Sequence, residues 1–264
     1  MQTDAQDDFL TLAAMGIIAF VIADVAHEAL GHGLATLAVG GQPVLLTTSY
    51  FSSSGSLSRW IPAGGGIANA IFGGLFVLAL RMAKTLSPHL RYFLVLGVAF
   101  NLLFAAGYPF YSGLAMFGDW AAVISGLSPA WMWRVLLVVF SVASYFFSML
   151  LLANMMRPFC GSPQALTRLH RITLVPFLAA LAAACVAGAL NPRGWINVLT
   201  AAAPAAAGAF GLTLLDKFVA VRSPDPAVPS AGPITRSMGW IVVALVVLAL
   251  FVGVMGPGIK FGGQ

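Results

Sequence analysis

Charged residues are scarce in this sequence. Lysine, arginine, aspartate and glutamate make up 8% of its 264 residues, whereas a water-soluble domain carries about a quarter. Hydrophobic residues make up 60% of the chain, and the mean hydropathy is +0.94. Such a chain cannot cover itself in water, but it can face lipid, where apolar surface costs nothing. We therefore expect a polytopic membrane protein.

Cysteine is scarcer still, with 2 residues. Cys160 and Cys185 form no motif with each other or with a histidine, so the sequence offers neither a disulfide framework nor a zinc-finger spacing. The formal net charge of +5 would suit a nucleic-acid partner. However, the basic residues are scattered at the ends of apolar runs, which is the distribution that orients membrane proteins. We predict the lipid bilayer as a partner, no nucleic acid, and an N-terminus on the inner side.

Seven apolar runs are long enough to cross a bilayer, which takes about 20 residues. Gly40 to Arg59 are β-prone, then small and polar, which predicts a short strand or hairpin. Irregular loops are predicted for two stretches, Gly107 to Pro129 and the proline-rich Arg222 to Arg236. The expected fold is all-α and polytopic: one integral membrane domain over residues 1–264, about seven transmembrane helices and a short β or re-entrant segment after the first. The runs are residues 10–39, 61–82, 91–112, 130–155, 172–191, 195–216 and 237–256.

The first apolar run contains four ionisable residues within nine positions: Asp24, His27, Glu28 and His32. Each acid costs about 2.5–3.5 kcal/mol near the bilayer centre, so it persists only with compensation. A bound cation compensates well, and two neutral imidazoles with a carboxylate are the ligands that zinc takes. The alternative is a polar helix face that packs against other helices or lines a proton path.

The spacing of the two histidines departs from the usual helical zinc motif. That motif is His-Glu-x-x-His, whereas His27 and His32 lie one residue farther apart. On an ideal α-helix they would point about 140° apart. They can share a metal only if the helix contains a π-bulge, which Gly31 would permit at least cost. A second set, Asp24, Glu28 and His32, would share one face of a regular helix, and this alternative stays open.

Three segments carry a resemblance to a known family. His27-Glu28-Ala29-Leu30-Gly31-His32 resembles the first motif of the site-2 protease family of intramembrane zinc metalloproteases. Its extra residue looks like the His-Glu-x-x-Gly-His variant of the soluble dipeptidyl peptidase III family. Gly65 and Asn69 resemble the site-2 family's glycine-x-x-x-asparagine segment. Asn101-Leu102-Leu103, followed by Pro109 and Gly118-Asp119, resembles its third motif.

The resemblance covers about residues 20–122 and implies a zinc metalloprotease. In that family the residues matching His27, His32 and Asp119 bind zinc, the one matching Glu28 is the general base, and the one matching Asn69 holds substrate or the reacting carbonyl. It implies a metalloprotease-like core over about residues 9–128, with additional helices over 129–264. It also implies a transmembrane protein or peptide as substrate, which could pair with the strand-prone residues 47–58. We expect the chain in the bacterial inner membrane.

Other interpretations remain open at this point. The alternative for Asp119 is an interfacial acid beside the anchoring Trp120, and the alternative for Asn69 is a helix-packing residue. Asp24 is a candidate to orient a zinc-binding histidine. The chain could also be a non-proteolytic metal-dependent membrane enzyme, or an ion or proton transporter using the Asp24, Glu28 and His32 face. A transporter more typically carries ionisable residues on several spans, whereas here they concentrate on the first.

Overall fold

The computed structural model describes residues 6–83, 85–160, 165–220 and 231–262. Seven helices in these ranges are long and apolar enough to cross a membrane. This confirms the predicted all-α polytopic fold and places the chain among multi-pass membrane proteins. The largest shift from the predicted runs is in span 5, which begins at Leu166 rather than at residue 172. Spans 1 to 7 are Phe9–Ala38, Trp60–Met82, Pro88–Ala115, Ala130–Phe159, Leu166–Ala189, Trp195–Val219 and Met238–Met255.

Spans 1, 3 and 5 form the centre of the helix bundle. Their most apolar windows are 67%, 61% and 56% buried, whereas those of the other four spans are 11% to 33% buried. At the centre, the ring of Phe20 from span 1 meets Phe100 and Phe104 of span 3 and Phe251 of span 7 edge to face. Because lipid is as apolar as these side chains, tight packing rather than the hydrophobic effect selects this arrangement.

A small sheet follows span 1. The antiparallel strands β1 (Gln42–Leu46) and β2 (Phe51–Ser54) form the predicted hairpin. A third strand, β3 (Ile259–Lys260), returns after span 7 and pairs with the other edge of β1, so the order is β2-β1-β3. The sequence did not indicate β3, because two residues carry no readable alternation. Within the described residues, β1 is paired on both edges and β2 on one.

The prediction of an irregular stretch from Gly107 to Pro129 was partly wrong. Span 3 continues as a helix through Pro109 to Ala115, and a short helix covers Asp119–Ile124. A proline is tolerated inside a membrane helix where neighbours satisfy the freed backbone groups. Two carbonyls of the last turn of the span have a side-chain partner, because the Arg134 guanidinium donates to the oxygens of Gly113 and Leu114.

The predicted proline-rich loop lies partly outside the described residues. Residues 222–230 are not among them, and residues 231–236 contain neither helix nor strand. The described part is tied to the N-terminal segment. The Asp7 carboxylate accepts hydrogen bonds from the Arg168 guanidinium at 2.8 and 2.9 Å and from the backbone N–H of Ile234 at 2.8 Å. This cluster joins the beginnings of spans 1, 5 and 7 on one side of the bundle.

Candidate metal centre

Span 1 changes its helical geometry at the histidine motif. Ala26–Gly33 form a π-helix between two α-helical stretches, Phe9–Val25 and Leu34–Ala38. In a π-helix the backbone hydrogen bond joins residues five apart and therefore brings them onto one face. His27 and His32 are five apart, and their ring centroids lie 4.9 Å from each other. The local winding that the long motif requires is therefore present.

Glycines of span 2 let this π-helix approach closely. A Cβ on Gly31 would lie 2.6 Å from the carbonyl oxygen of Gly64, and a Cβ on Gly64 would lie 2.4 Å from the carbonyl oxygen of Gly31. A Cβ on Gly65 would lie 2.5 Å from Nε2 of His27. Both helices therefore meet backbone to backbone, and the His27 ring lies directly on span 2.

The hydrogen bonds around Asn69 determine the tautomer of His27. The Asn69 amide nitrogen donates to the carbonyl oxygen of Ala23 at 2.8 Å and to Oδ1 of Asn101 at 3.1 Å. Asn101 in turn donates to the carbonyl oxygen of Gly97 at 2.9 Å. With both amide hydrogens donated, Oδ1 of Asn69 accepts from Nδ1–H of His27 at 2.8 Å. The lone pair of the neutral ring is then on Nε2.

His32 is oriented in the same way by a backbone group. Its Nδ1 lies 2.7 Å from the carbonyl oxygen of Ile61, which can only accept, so Nδ1 carries the hydrogen. Its Nε2 is therefore the free ligand atom as well. Histidines that bind metals commonly donate their other ring N–H to such a fixed acceptor. The partners of the two rings are Asn69 and Ile61, and not Asp24 as the sequence suggested.

Both Nε2 atoms face one carboxylate oxygen. Oδ2 of Asp119 lies 2.9 Å from Nε2 of His27 and 3.2 Å from Nε2 of His32, and the ligand atoms of the three residues all lie within 4.8 Å of one another. Tetrahedral zinc with bonds of about 2.0–2.1 Å has ligands about 3.4 Å apart. The two nitrogen–oxygen distances are within about 0.5 Å of this value, so small movements would fit the three residues to zinc.

The backbone before Asp119 brings it to this position. Met116 and Gly118 have positive φ angles of 53° and 83°, so the chain turns sharply after span 3 and Asp119 opens the short helix. Burial raises the pKa of the Asp119 carboxyl. When a proton rather than a metal lies between Asp119 and the rings, the charge of His32 and the hydrogen bonds from both rings hold that pKa well below its usual range. Three lone-pair-bearing atoms at these distances need a cation among them, either a proton or a metal ion.

Two more carboxylates lie beside the histidines. The side chains of Asp24 and Glu28 are buried, and among the described residues Oδ2 of Asp24 and Oε2 of Glu28 have no hydrogen-bond partner. Both residues line a cavity together with His27. The Glu28 carboxyl group therefore lies on the same cavity wall as the His27 ring, with one oxygen that no described residue binds.

The cavity has a volume of about 750 Å³ and lies between spans 1, 3, 4 and 6. At one end it contacts the three side chains just named, the hairpin turn at Thr48 and Ser49, and Tyr108. The other lining residues are mostly alanine, glycine and apolar side chains. The cavity thus joins a polar end at the candidate metal ligands to an apolar interior.

All five site residues suggested by the sequence meet at this place. His27, His32 and Asp119 converge, Glu28 lies on the cavity wall beside them, and Asn69 contacts His27. Asn69 is fully buried and both of its amide hydrogens are donated, so in this conformation it positions the ring of His27. Its proposed contact with a reacting carbonyl stays a prediction.

The sequence did not assign a role to Asn101 or to the carbonyl of Ile61. An amide side chain inside an apolar run was a usable signal for Asn101, because such a group needs a partner in lipid. The Ile61 carbonyl carried no signal, since every residue has one. Comparisons of the chain with protein-family models, with curated proteins and with solved structures found no match. The functional argument therefore rests on the site itself.

Proposed function

We propose that this chain is an intramembrane zinc metalloprotease that hydrolyses peptide bonds of membrane-embedded substrates. The observation that carries the proposal is the convergence of two imidazole Nε2 atoms and one carboxylate oxygen, from His27, His32 and Asp119, beside the unpartnered carboxylate of Glu28. Two nitrogens and one oxygen suit zinc, and three protein ligands leave a coordination position free for water or substrate.

The protein's own groups account for the proton transfers. A bound zinc ion would lower the pKa of water and polarise the scissile carbonyl. Glu28 takes a proton from the attacking water while the water oxygen bonds to the scissile carbonyl carbon. It then passes this proton to the leaving amine as the C–N bond breaks. The carboxylate suits this exchange because its Oε2 is not held by another described residue. Asn69 keeps the Nε2 lone pair of His27 directed at the metal position.

The edge of β2 that no described strand pairs with supports a way of presenting the substrate. The ring of Phe51, the first residue of β2, stacks on His32 with 5.9 Å between centroids and 26° between planes. A peptide that pairs with this edge would be extended, with its backbone hydrogen bonds satisfied, next to a metal ligand. A substrate helix must lose its internal hydrogen bonds before cleavage, and the edge offers replacements for them.

A non-proteolytic metal-dependent hydrolase is the second candidate, and the large apolar cavity beside Glu28 favours it. The transporter alternative has less support. It required Asp24, Glu28 and His32 to share a path, but of these only Asp24 and Glu28 belong to the described residues that line the cavity. Location in a bacterial inner membrane, with the N-terminus inside, is part of the proposal.

Metal analysis of the purified full-length protein tests the proposal. We expect about one zinc ion per chain in the wild type, loss of zinc in His32→Ala, and wild-type content in His170→Ala, a histidine exposed far from the site. Asp119→Asn should weaken zinc binding. Glu28→Gln should retain the metal and lose cleavage of a transmembrane peptide. A wild-type protein without zinc, or an active Glu28→Gln, would refute the proposal.

A further inference from the structure

The cavity beside the metal centre continues well past the carboxylates. We call its far part the apolar arm, defined by Val142, Phe146, Met149, Phe210, Leu214 and Phe218, which come from spans 4 and 6. Span 6 is irregular here, because a π-helix over Val198–Ala202 and a 3₁₀-helix over Gly208–Leu214 flank Pro204. Phe146 and Phe210 are about half exposed, so the arm reaches the lipid-facing surface between the two spans.

The cavity is long. Its lining on span 6 extends from Thr200 to Phe218, which is about 27 Å along a helix at 1.5 Å per residue. A long, flexible molecule can therefore contact the polar end of the cavity and the apolar arm at the same time.

The polar groups near the arm are already paired. The Tyr145 hydroxyl donates to the carbonyl oxygen of Gly208 at 2.9 Å and accepts from the N–H of Gly211 at 2.8 Å. The Ser141 hydroxyl donates to the carbonyl oxygen of Ala106. An extended peptide would have to leave its own N–H and C=O groups unsatisfied here, at a cost of several kcal/mol for each group. A hydrocarbon chain has no such groups.

The opposite, polar end of the cavity has the free hydrogen-bonding atoms. Oδ2 of Asp24, Oε2 of Glu28 and Oγ1 of Thr48 are buried and have no partner among the described residues. All three residues line the cavity. Two carboxylates would repel the phosphate group of a bilayer phospholipid, but they accept hydrogen bonds from an amide N–H. The occupant is therefore an amphiphile with an uncharged or cationic polar group.

We propose that the substrate hydrolysed at the metal centre carries one long hydrocarbon chain, which occupies the apolar arm while its amide-linked polar part lies at Asp24 and Glu28. The inference rests on the proposed metallohydrolase function and names its substrate class. From Phe210 to Phe218 the arm is about 14 Å long, at about 2.0 Å per residue in the 3₁₀-helix up to Leu214 and about 1.5 Å per residue beyond it. This length is close to half of a hydrocarbon core of about 30 Å. A chain that extends through one leaflet therefore matches it in length.

Photo-crosslinking of the zinc-loaded full-length protein in phosphatidylcholine nanodiscs tests the inference. The probe is a dipeptide amide whose N-terminus bears a long acyl chain ending in a diazirine. We expect its crosslinks on Met149, Leu214 and Phe218. Ala207→Trp fills the cavity at a lining residue and should lower these crosslinks at least about tenfold, the effect of losing about 1.4 kcal/mol of binding. Leu199→Trp adds the same ring on the exposed side of span 6 and should leave them unchanged.

Three controls make the outcome decisive. If Ala207→Trp does not fold, Ala205→Trp substitutes at another lining residue. A diazirine-bearing phosphatidylcholine shows whether bilayer lipid fills the arm, and equal labelling of the arm by that lipid overturns the inference. The inference is also overturned if the dipeptide probe crosslinks to Val243 and Val246, exposed residues of span 7, at the same yield as to the residues of the apolar arm.

The two proposals fail in different ways. If no zinc binds, the metallohydrolase function itself is wrong. If zinc binds and Glu28→Gln abolishes cleavage, but acetylated and long-chain dipeptide amides are cleaved equally well, only the hydrocarbon-chain inference is wrong. Preference for the long-chain compound that is lost in Ala207→Trp and kept in Leu199→Trp supports both.

Discussion

Gly65→Ala should strongly weaken zinc binding, although it replaces none of the proposed ligands. The added Cβ would lie 2.5 Å from Nε2, 2.6 Å from Cε1 and 2.7 Å from Cδ2 of His27, and these are its three nearest contacts. Optimal contacts between such atoms are about 3.5–4.0 Å. The imidazole must therefore move away from span 2 by about 1 Å.

A movement of this size is large on the scale of metal coordination. Zinc–nitrogen bonds lie within about 0.2 Å of their ideal length, so a ring displaced by 1 Å no longer binds in the same geometry. The displacement also stretches the 2.8 Å hydrogen bond between Nδ1 of His27 and Asn69. Loss of such an outer contact alone lowers metal affinity about 10–100-fold. With a ligand displaced as well, we expect zinc affinity to fall at least about 100-fold.

Gly74→Ala is the matched control, because it lies in the same span and its Cβ would meet no atom of the described residues within 4 Å. Both changes bring the same gain in helix propensity, about 1 kcal/mol at most. Zinc dissociation constants come from competition with a chromophoric chelator on purified protein, with thermal unfolding measured in parallel. A folded Gly65→Ala protein that binds zinc as tightly as Gly74→Ala would show that His27 is not a ligand.

Three further changes test the surroundings of the site. Asn101→Leu removes an acceptor of the Asn69 amide, so zinc affinity should fall about 10-fold, as measured by the same competition; an unchanged affinity would mean that the amide chain does not orient the histidine. Asp7→Asn removes the charge that pairs with Arg168, so we expect a loss of stability of about 3 kcal/mol in thermal unfolding, and an unshifted transition would contradict this. Asp8 caps span 1, and Asp8→Ala should cost about 1 kcal/mol at pH 7. Burial raises the pKa of the Asp8 carboxyl, but its hydrogen bonds and the opposite charge nearby outweigh this effect. The pKa is therefore below its ordinary value. Its contribution is therefore complete above the ordinary pKa of about 3.9 and is lost as the pH falls through the depressed folded value, so the mutant and wild-type stabilities should converge in acid.

Much of the fold could be read from local patterns. Whether a segment crosses a membrane depends on the summed hydropathy of about 20 consecutive residues, so seven spans and their approximate limits followed from the sequence. The hairpin was also local, since Gly40 to Arg59 combine strand formers with turn residues. The extension of span 3 beyond residue 112 and the strand Ile259–Lys260 were not predictable in this way, because both depend on partners from distant parts of the chain.

The candidate site divides along the same line. The sequence by itself determined that His27, Glu28 and His32 lie in lipid-spanning helix, where their cost requires compensation. Only the tertiary structure decided that the two rings share a face, because the π-helix lies where Gly31 packs on the backbone of Gly64. It also decided which oxygen meets them, since Asp119 follows His27 by 92 residues. Hydropathy is a sum over neighbours in the chain, whereas coordination needs atoms within a few ångströms in space, and only packing sets those distances.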